Sequence, residues 1–230
     1  MEEIVRVLSE THTFILSGKP SGYGWLLGIF VGLFYVSAAY MAWGFINSIL
    51  KRDIWEFIKK IERVTILSGL AAATLIPVLA ILITYEVISR YAFRAPTSWA
   101  FEVSYMLMGI SLMLGIAWCT FARKHIRVDF LYDNLAPKGK ATVDLLGFVF
   151  LLLPILIWVS WALFVYFLEA YKVNEVSGES AWNPIIWPFK FSFAFGFYLF
   201  TMQTIAETIK CALTLTGRDV PDPVLPKGVH

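Results

Sequence analysis

Two clusters of polar residues interrupt a largely apolar sequence, and their residue types suit anchoring or docking. The first cluster contains Glu86, Arg90, Tyr91, Trp99 and Glu102. Glu86 and Arg90 are four residues apart, so they can pair on one face of a helix. A carboxylate at Glu102 is favoured if a helix starts there, because the first amide hydrogens of a helix lack intrahelical partners. The cluster is either a solvated helix end or a docking surface.

The second cluster contains Arg123, His125, Arg127 and Asp129. These residues follow an apolar stretch and precede Pro137, which places them in a connecting turn. We expect local hydrogen bonds to hold this turn, with contacts to lipid headgroups or to a partner subunit. Simple solvation of a helix end is the alternative interpretation.

The apolar stretches lack the residues that most chemical functions require. The three histidines, His12, His125 and His230, lie outside these stretches, so haem ligation there has no candidate. Cys119 and Cys211 form no metal-binding pattern. Catalytic triads and phosphate-binding loops are not recognisable either. The sequence predicts no enzyme, no metal site and no cofactor in this chain, although a bound phospholipid is compatible with it. A net charge of +2 gives no case for nucleic acid.

Composition defines the class of fold, because 58% of the residues are hydrophobic and only 16% are charged. Four stretches without Asp, Glu, Lys or Arg are long enough to cross ~30 Å of hydrocarbon. A self-sufficient ion carrier is disfavoured, since such carriers place ionisable groups inside the membrane. We predict an all-α membrane protein with a four-helix core, one additional N-terminal membrane helix and short interfacial helices. The predicted spans are residues 25–50, 64–88, 102–122, 143–168 and 187–210.

The last span is the least apolar, with Lys190 near its start and Glu207 near its end. We expect both side chains to extend to the headgroups. Pro77 and Pro154 lie within spans, where each removes one helical hydrogen bond and favours a passive kink.

Residues near the N-terminus add two further features. Gly24, Gly28 and Gly32 form a small-residue stripe that could pack against the core helices or another subunit, with chance as the alternative. Residues 53–63 are amphipathic and predict either a helix along the headgroups or an extension of the next span. Residues 126–135 predict a second interfacial helix or turn.

The positive charges predict an orientation. Of the 19 Lys and Arg residues, 13 fall in alternate connections and six in the others. The positive-inside rule then places the N-terminus in the periplasm and the C-terminus in the cytoplasm. Both cysteines fall on the cytoplasmic side, where thiols remain reduced.

Three motifs resemble the small permease subunit of tripartite ATP-independent periplasmic (TRAP) transporters, the DctQ-like family. The segment 90–93 (Arg-Tyr-Ala-Phe) resembles the family's ending of one helix, and Trp99 with Glu102 resembles its opening of the next. The segment 125–129 (His-Ile-Arg-Val-Asp) resembles the family's step after that second helix. The spacing of the last two helices, with Pro188 before the final one, also fits.

The resemblance covers residues 64–213, with 1–63 as an N-terminal extension and 214–230 as a flexible tail. It implies a bacterial inner-membrane subunit that anchors a large permease subunit. The family implies that the large subunit binds sodium and moves an organic acid, which a periplasmic binding protein delivers. Partners are therefore the large subunit, that binding protein and membrane lipids. A membrane adaptor without a part in solute transport is the alternative, and a small carrier acting alone is a third interpretation.

Overall fold

The computed structural model describes residues 24–51, 53–122, 135–218 and 220, and these residues form a helical bundle. Within them no β-strand occurs, only an isolated antiparallel bridge between Val176 and Ile185. A π-helical stretch, Gly147–Leu152, joins the fourth α-helix to the fifth. The α-helices in chain order are α1 (Gly24–Lys51), α2 (Trp55–Tyr91), α3 (Ala100–Phe121), α4 (Pro137–Leu146), α5 (Leu153–Lys172) and α6 (Trp187–Leu215).

Four helical stretches in the described part of the chain are long and apolar enough to cross a membrane. Most of their surface is not covered by the chain itself, which is expected where lipid or another subunit faces them. The chain is therefore an all-α membrane protein, as its composition predicts. The stretches are Gly28–Leu50, Trp55–Tyr91, Ala100–Phe121 and Lys138–Lys172.

Helix α2 is continuous from Trp55, so residues 55–63 are not a separate interfacial helix. This continuity agrees with the interpretation of the segment as an extension of the next span. The amide of Trp55 donates to Asp53 Oδ1 at 3.0 Å, which marks the start of the helix. Ile58 and Ile61 are fully buried, because the apolar face of the segment packs against the protein.

The helix that leads into the fourth predicted span starts earlier than that span, at Pro137. Proline is accommodated there because the first amide of a helix needs no partner. The π-helical stretch then lies immediately before α5, and Pro154 occupies the first turn of α5. Pro154 thus does not interrupt a regular α-helix, since the backbone changes its hydrogen-bonding pattern just before the proline.

Helix α6 is the inner helix of the bundle and packs against α2, α3, α4 and α5. Its 29 residues correspond to about 44 Å, so its length would cross a bilayer, but α6 is not among the four stretches that are also apolar enough, and the fifth predicted span stays a prediction. Gly196 permits the closest approach, since a Cβ atom there would lie 2.5 Å from the carbonyl oxygen of Met113 on α3. Small residues at helix contacts allow this approach where no hydrophobic effect drives association within lipid.

Helix α1 packs onto the bundle through aromatic side chains. Phe30 lies 5.8 Å from Trp187 and 5.0 Å from Phe191, measured between ring centroids. Phe34 lies 4.6 Å from Tyr198 in the same way. The extra N-terminal helix therefore contacts α6, the most buried element of the fold, in addition to α2.

Candidate functional site

The corner between α2 and α3 brings together part of the first polar cluster. The guanidinium of Arg90 donates to Glu86 Oε1 from two nitrogens, at 2.6 and 3.1 Å. The other oxygen, Oε2, accepts from the amide of Thr97 at 3.3 Å and from its hydroxyl group. Glu86 thus joins the end of α2 to the loop before α3. Its pair with Arg90 is the one that the four-residue spacing allows.

Aromatic side chains border the same corner, on the surface of the chain. Trp99 stacks on Tyr85 with ring centroids 6.1 Å apart, and Tyr91 is largely exposed. Arg94 takes a left-handed backbone conformation, with φ of 52°, where the chain reverses. The corner is a compact surface feature with an ion pair and exposed rings.

Glu102 does not belong to this surface, because it is fully buried at the start of α3. Its Oε2 atom accepts from the hydroxyl of Ser177 at 2.5 Å, and Oε1 has no hydrogen-bond partner in the structure. Ser177 belongs to the connection between α5 and α6. Glu102 therefore attaches that connection to α3, which the sequence did not indicate.

The connection between α5 and α6 is fixed at a second point by Lys190. Its ammonium group lies 2.5 Å from Glu175 Oε2 and 3.6 Å from the centroid of the Tyr166 ring. The residue is only 6% exposed. The expectation that Lys190 extends to the headgroups is wrong, because a partner for its charge lies within the chain.

A buried polar network lies at the opposite end of the bundle, between α2 and α6. Lys210 Nζ is 2.5 Å from Glu62 Oε1 and 2.6 Å from Glu207 Oε1. Gln203 donates to Glu207 at 3.1 Å and accepts from the Thr65 hydroxyl at 2.9 Å. Glu207 is 3% exposed, so the expectation that it extends to the headgroups is also wrong.

We define the α2–α6 network as Glu62, Thr65, Gln203, Glu207 and Lys210. Part of this network is visible in the sequence as helical spacing. Residues 203, 207 and 210 follow the four- and three-residue spacing that places side chains on one helical face. Glu62 and Thr65 have the same relation on α2. What could not be read was that the two faces meet, since the residues of each are far apart along the chain.

The chemistry of these buried groups is structural. Each charged side chain in the α2–α6 network and in the Glu175–Lys190 pair has a partner of opposite charge inside the chain. Among the residues that the structure describes, no group of three or more His, Cys, Asp or Glu could hold a metal ion. The buried charges join helices to one another instead of lining an open polar site.

The structure leaves two predicted features untested, the second polar cluster and the glycine stripe of α1. Arg123, His125, Arg127 and Asp129 fall in the undescribed stretch 123–134, and so does most of the predicted interfacial segment 126–135. Within α1, a Cβ atom added at Gly28 or Gly32 would meet nothing within 4 Å. The chain's own helices do not use this part of the stripe, and its packing against another subunit stays a prediction. Gly24 begins α1.

The long apolar helices define a class of protein, an all-α integral membrane protein. The family model of tripartite ATP-independent periplasmic transporters, DctQ component, matches residues 79–214, more than half of the chain. The chain belongs to this family, which confirms the resemblance carried by the three motifs. Helix α1 and the first part of α2 precede the matched region. No curated protein and no solved structure matches the chain.

Proposed function

We propose that this chain is the small subunit that anchors the large permease of a sodium-coupled transporter for organic acids. The observation that carries the proposal is the internal pairing of two buried lysines, Lys190 and Lys210, which fixes α6 to the α5–α6 connection at one end and to α2 at the other. Alternating access moves one part of a transporter against another, and the small subunit would hold the fixed part in place. Apolar outer faces on α2 and α5 are available to lipid and to such a permease.

The large subunit binds sodium and the acid in this proposal, and a periplasmic protein delivers the acid. The chain lies in a bacterial inner membrane with its N-terminus in the periplasm, as its positive charges favour. The corner of α2 and α3 then faces the periplasm. It offers the Glu86–Arg90 pair, Tyr91 and Trp99 to the binding protein, whereas buried Glu102 holds the α5–α6 connection to α3.

A reconstitution experiment tests the central proposal. The full chain and the large subunit are copurified and placed in liposomes, with the binding protein outside and an inward sodium gradient. We expect uptake only when both membrane subunits are present. Normal uptake by the large subunit alone would leave the chain as a membrane adaptor, and uptake by this chain alone would contradict the anchor role.

Photo-crosslinking locates the face that meets the large subunit. A photoreactive residue at Ile81 on α2, Trp158 on α5 or Val36 on α1 probes three exposed apolar faces. We expect one face to yield an adduct with the mass of both subunits, while the faces covered by lipid yield none. Absence of an adduct at all three positions would count against a helix-to-helix anchor.

Charge reversal tests the docking surface separately. We expect Arg90→Glu to lower uptake that depends on the binding protein and to leave copurification of the large subunit intact. Lys59→Glu is the matched control, because Lys59 is exposed on α2 near the opposite end. If both variants transport equally well, the corner is only a solvated helix end.

A further inference from the structure

A cavity of about 370 Å³ lies between α1, α5 and α6. Val31 and Phe34 contribute to it from α1, and Phe164 and Leu168 from α5. Its volume falls in the range of ~300–1,000 Å³ typical of small-ligand sites. The buried polar groups of the candidate site lie elsewhere, so this cavity needs its own explanation.

The walls of the cavity are predominantly apolar, and the hydroxyl groups among its lining residues are paired. Ser160 Oγ lies 3.1 Å from Thr201 Oγ1, and Thr201 donates to the carbonyl of Phe197 at 2.8 Å. Tyr198 directs its hydroxyl to Met41 Sδ at 3.6 Å. Water would find few partners here, because an ordered water needs two to four polar groups. The cavity therefore suits a hydrocarbon occupant.

The position of the cavity agrees with one leaflet of the bilayer. Along α6 its lining runs from Phe191 to Met202, a rise of about 16 Å. One leaflet contributes about 15 Å of the ~30 Å hydrocarbon core. Tyr35 and Ile157 line the cavity and are 54% and 58% exposed. The cavity is therefore continuous with the surface that faces lipid.

We propose that this cavity binds one acyl chain of a membrane glycerophospholipid. A partner helix, with a diameter of about 10–12 Å, is too wide for a space of this volume. An acyl chain is narrow and flexible, and it is present at this depth in any bilayer. It completes the contact between α1 and the rest of the bundle, so the extra helix packs onto the family core partly through lipid. Since α1 precedes the matched region, this site is an addition to that core.

Native mass spectrometry of the full chain tests the proposal without any transport measurement. The chain is reconstituted in nanodiscs of phosphatidylethanolamine and phosphatidylglycerol, released, and its retained phospholipids are counted. We expect Ala194→Phe, which fills the cavity from α6, to lower retention roughly tenfold, equivalent to ~1.4 kcal/mol of binding free energy. Ala80→Phe makes the same change on an exposed position of α2 and should retain as much phospholipid as the unmodified chain.

A second variant and a labelled lipid keep the test decisive if Ala194→Phe does not fold. Ser160→Leu narrows the cavity from α5 with a smaller change in volume and should also lower retention. Phosphatidylcholine with a diazirine in the middle of one acyl chain should label residues 191–202 in the unmodified chain. Equal retention in the cavity variants and the control, or labelling confined to α2, would overturn the proposal.

Discussion

Replacement of Lys210 by methionine tests whether the α2–α6 network holds the fold together. Methionine keeps the approximate length of the lysine stem and removes its charge. The ammonium group lies between Glu62 and Glu207, at 2.5 and 2.6 Å. The variant therefore removes the cation that the buried Glu207 and the partly buried Glu62 share.

The expected loss of stability follows from the burial of Lys210 and Glu207. Removing one partner of a buried ion pair destabilises by roughly 3–5 kcal/mol, because an uncompensated charge remains. Lys210 is 3% exposed and Glu207 is equally buried, so water cannot easily replace the ammonium group. We expect Lys210→Met to lower the free energy of unfolding by about this amount.

Unfolding of the full chain in detergent by increasing SDS, followed by tryptophan fluorescence, measures this loss. Lys172→Met is the control, since Lys172 is exposed at the end of α5, and surface changes of this kind stay within about 0.5 kcal/mol. Combining Lys210→Met with Glu62→Gln and Glu207→Gln leaves no charge and should recover most of the stability. A combined variant as unstable as Lys210→Met would refute the electrostatic explanation and assign the loss to packing of the lysine stem.

Three further predictions address other helix contacts by the same unfolding assay. Gly196→Ala should destabilise the fold by ~1–3 kcal/mol, because the new Cβ atom would clash with the backbone of α3. Gly115→Ala is the control and should be tolerated, because the nearest atom to its new Cβ lies at 3.8 Å. Equal effects of the two substitutions would contradict the close approach of α3 and α6. Glu102→Ala should lower the free energy of unfolding by about 1–3 kcal/mol and expose the α5–α6 connection to protease. Glu102→Gln should lower it less, because its amide oxygen can still accept from the Ser177 hydroxyl. Identical losses would count against this hydrogen bond. Trp43→Leu should cost about 0.5–2 kcal/mol, since Lys60 Nζ lies 3.6 Å from the ring centroid, and an unchanged stability would show that this cation–π contact does not hold α1 to α2.

The helices themselves could be predicted, because a bilayer requires long apolar stretches whose backbone groups pair within the helix. The spans of α1, α2 and α3 were readable for this reason, and so was the pair of Glu86 and Arg90. Local spacing along one helix is sufficient information for such features. The family was recognisable from short motifs at the helix ends.

The partners of the buried charges could not be predicted, because they depend on contacts between distant segments. In the sequence, Lys190 and Glu207 cannot be distinguished from charged residues at span ends that reach the headgroups. Only the tertiary packing places Glu175 beside Lys190 and brings Glu62 of α2 to Lys210, which lies next to Glu207 on the same face of α6. The burial of Glu102 depends in the same way on Ser177, whose position is set by the fold of the α5–α6 connection.

The π-helical stretch Gly147–Leu152 sets the rotational phase of α5 relative to α4. One residue added to or removed from an α-helix turns everything beyond it by about 100°. Deleting Val149 would therefore turn Ser160 away from Thr201 and carry Phe164 off the wall of the α1–α5–α6 cavity. An extra residue in one turn decides which face of α5 meets α6 and which face meets the membrane.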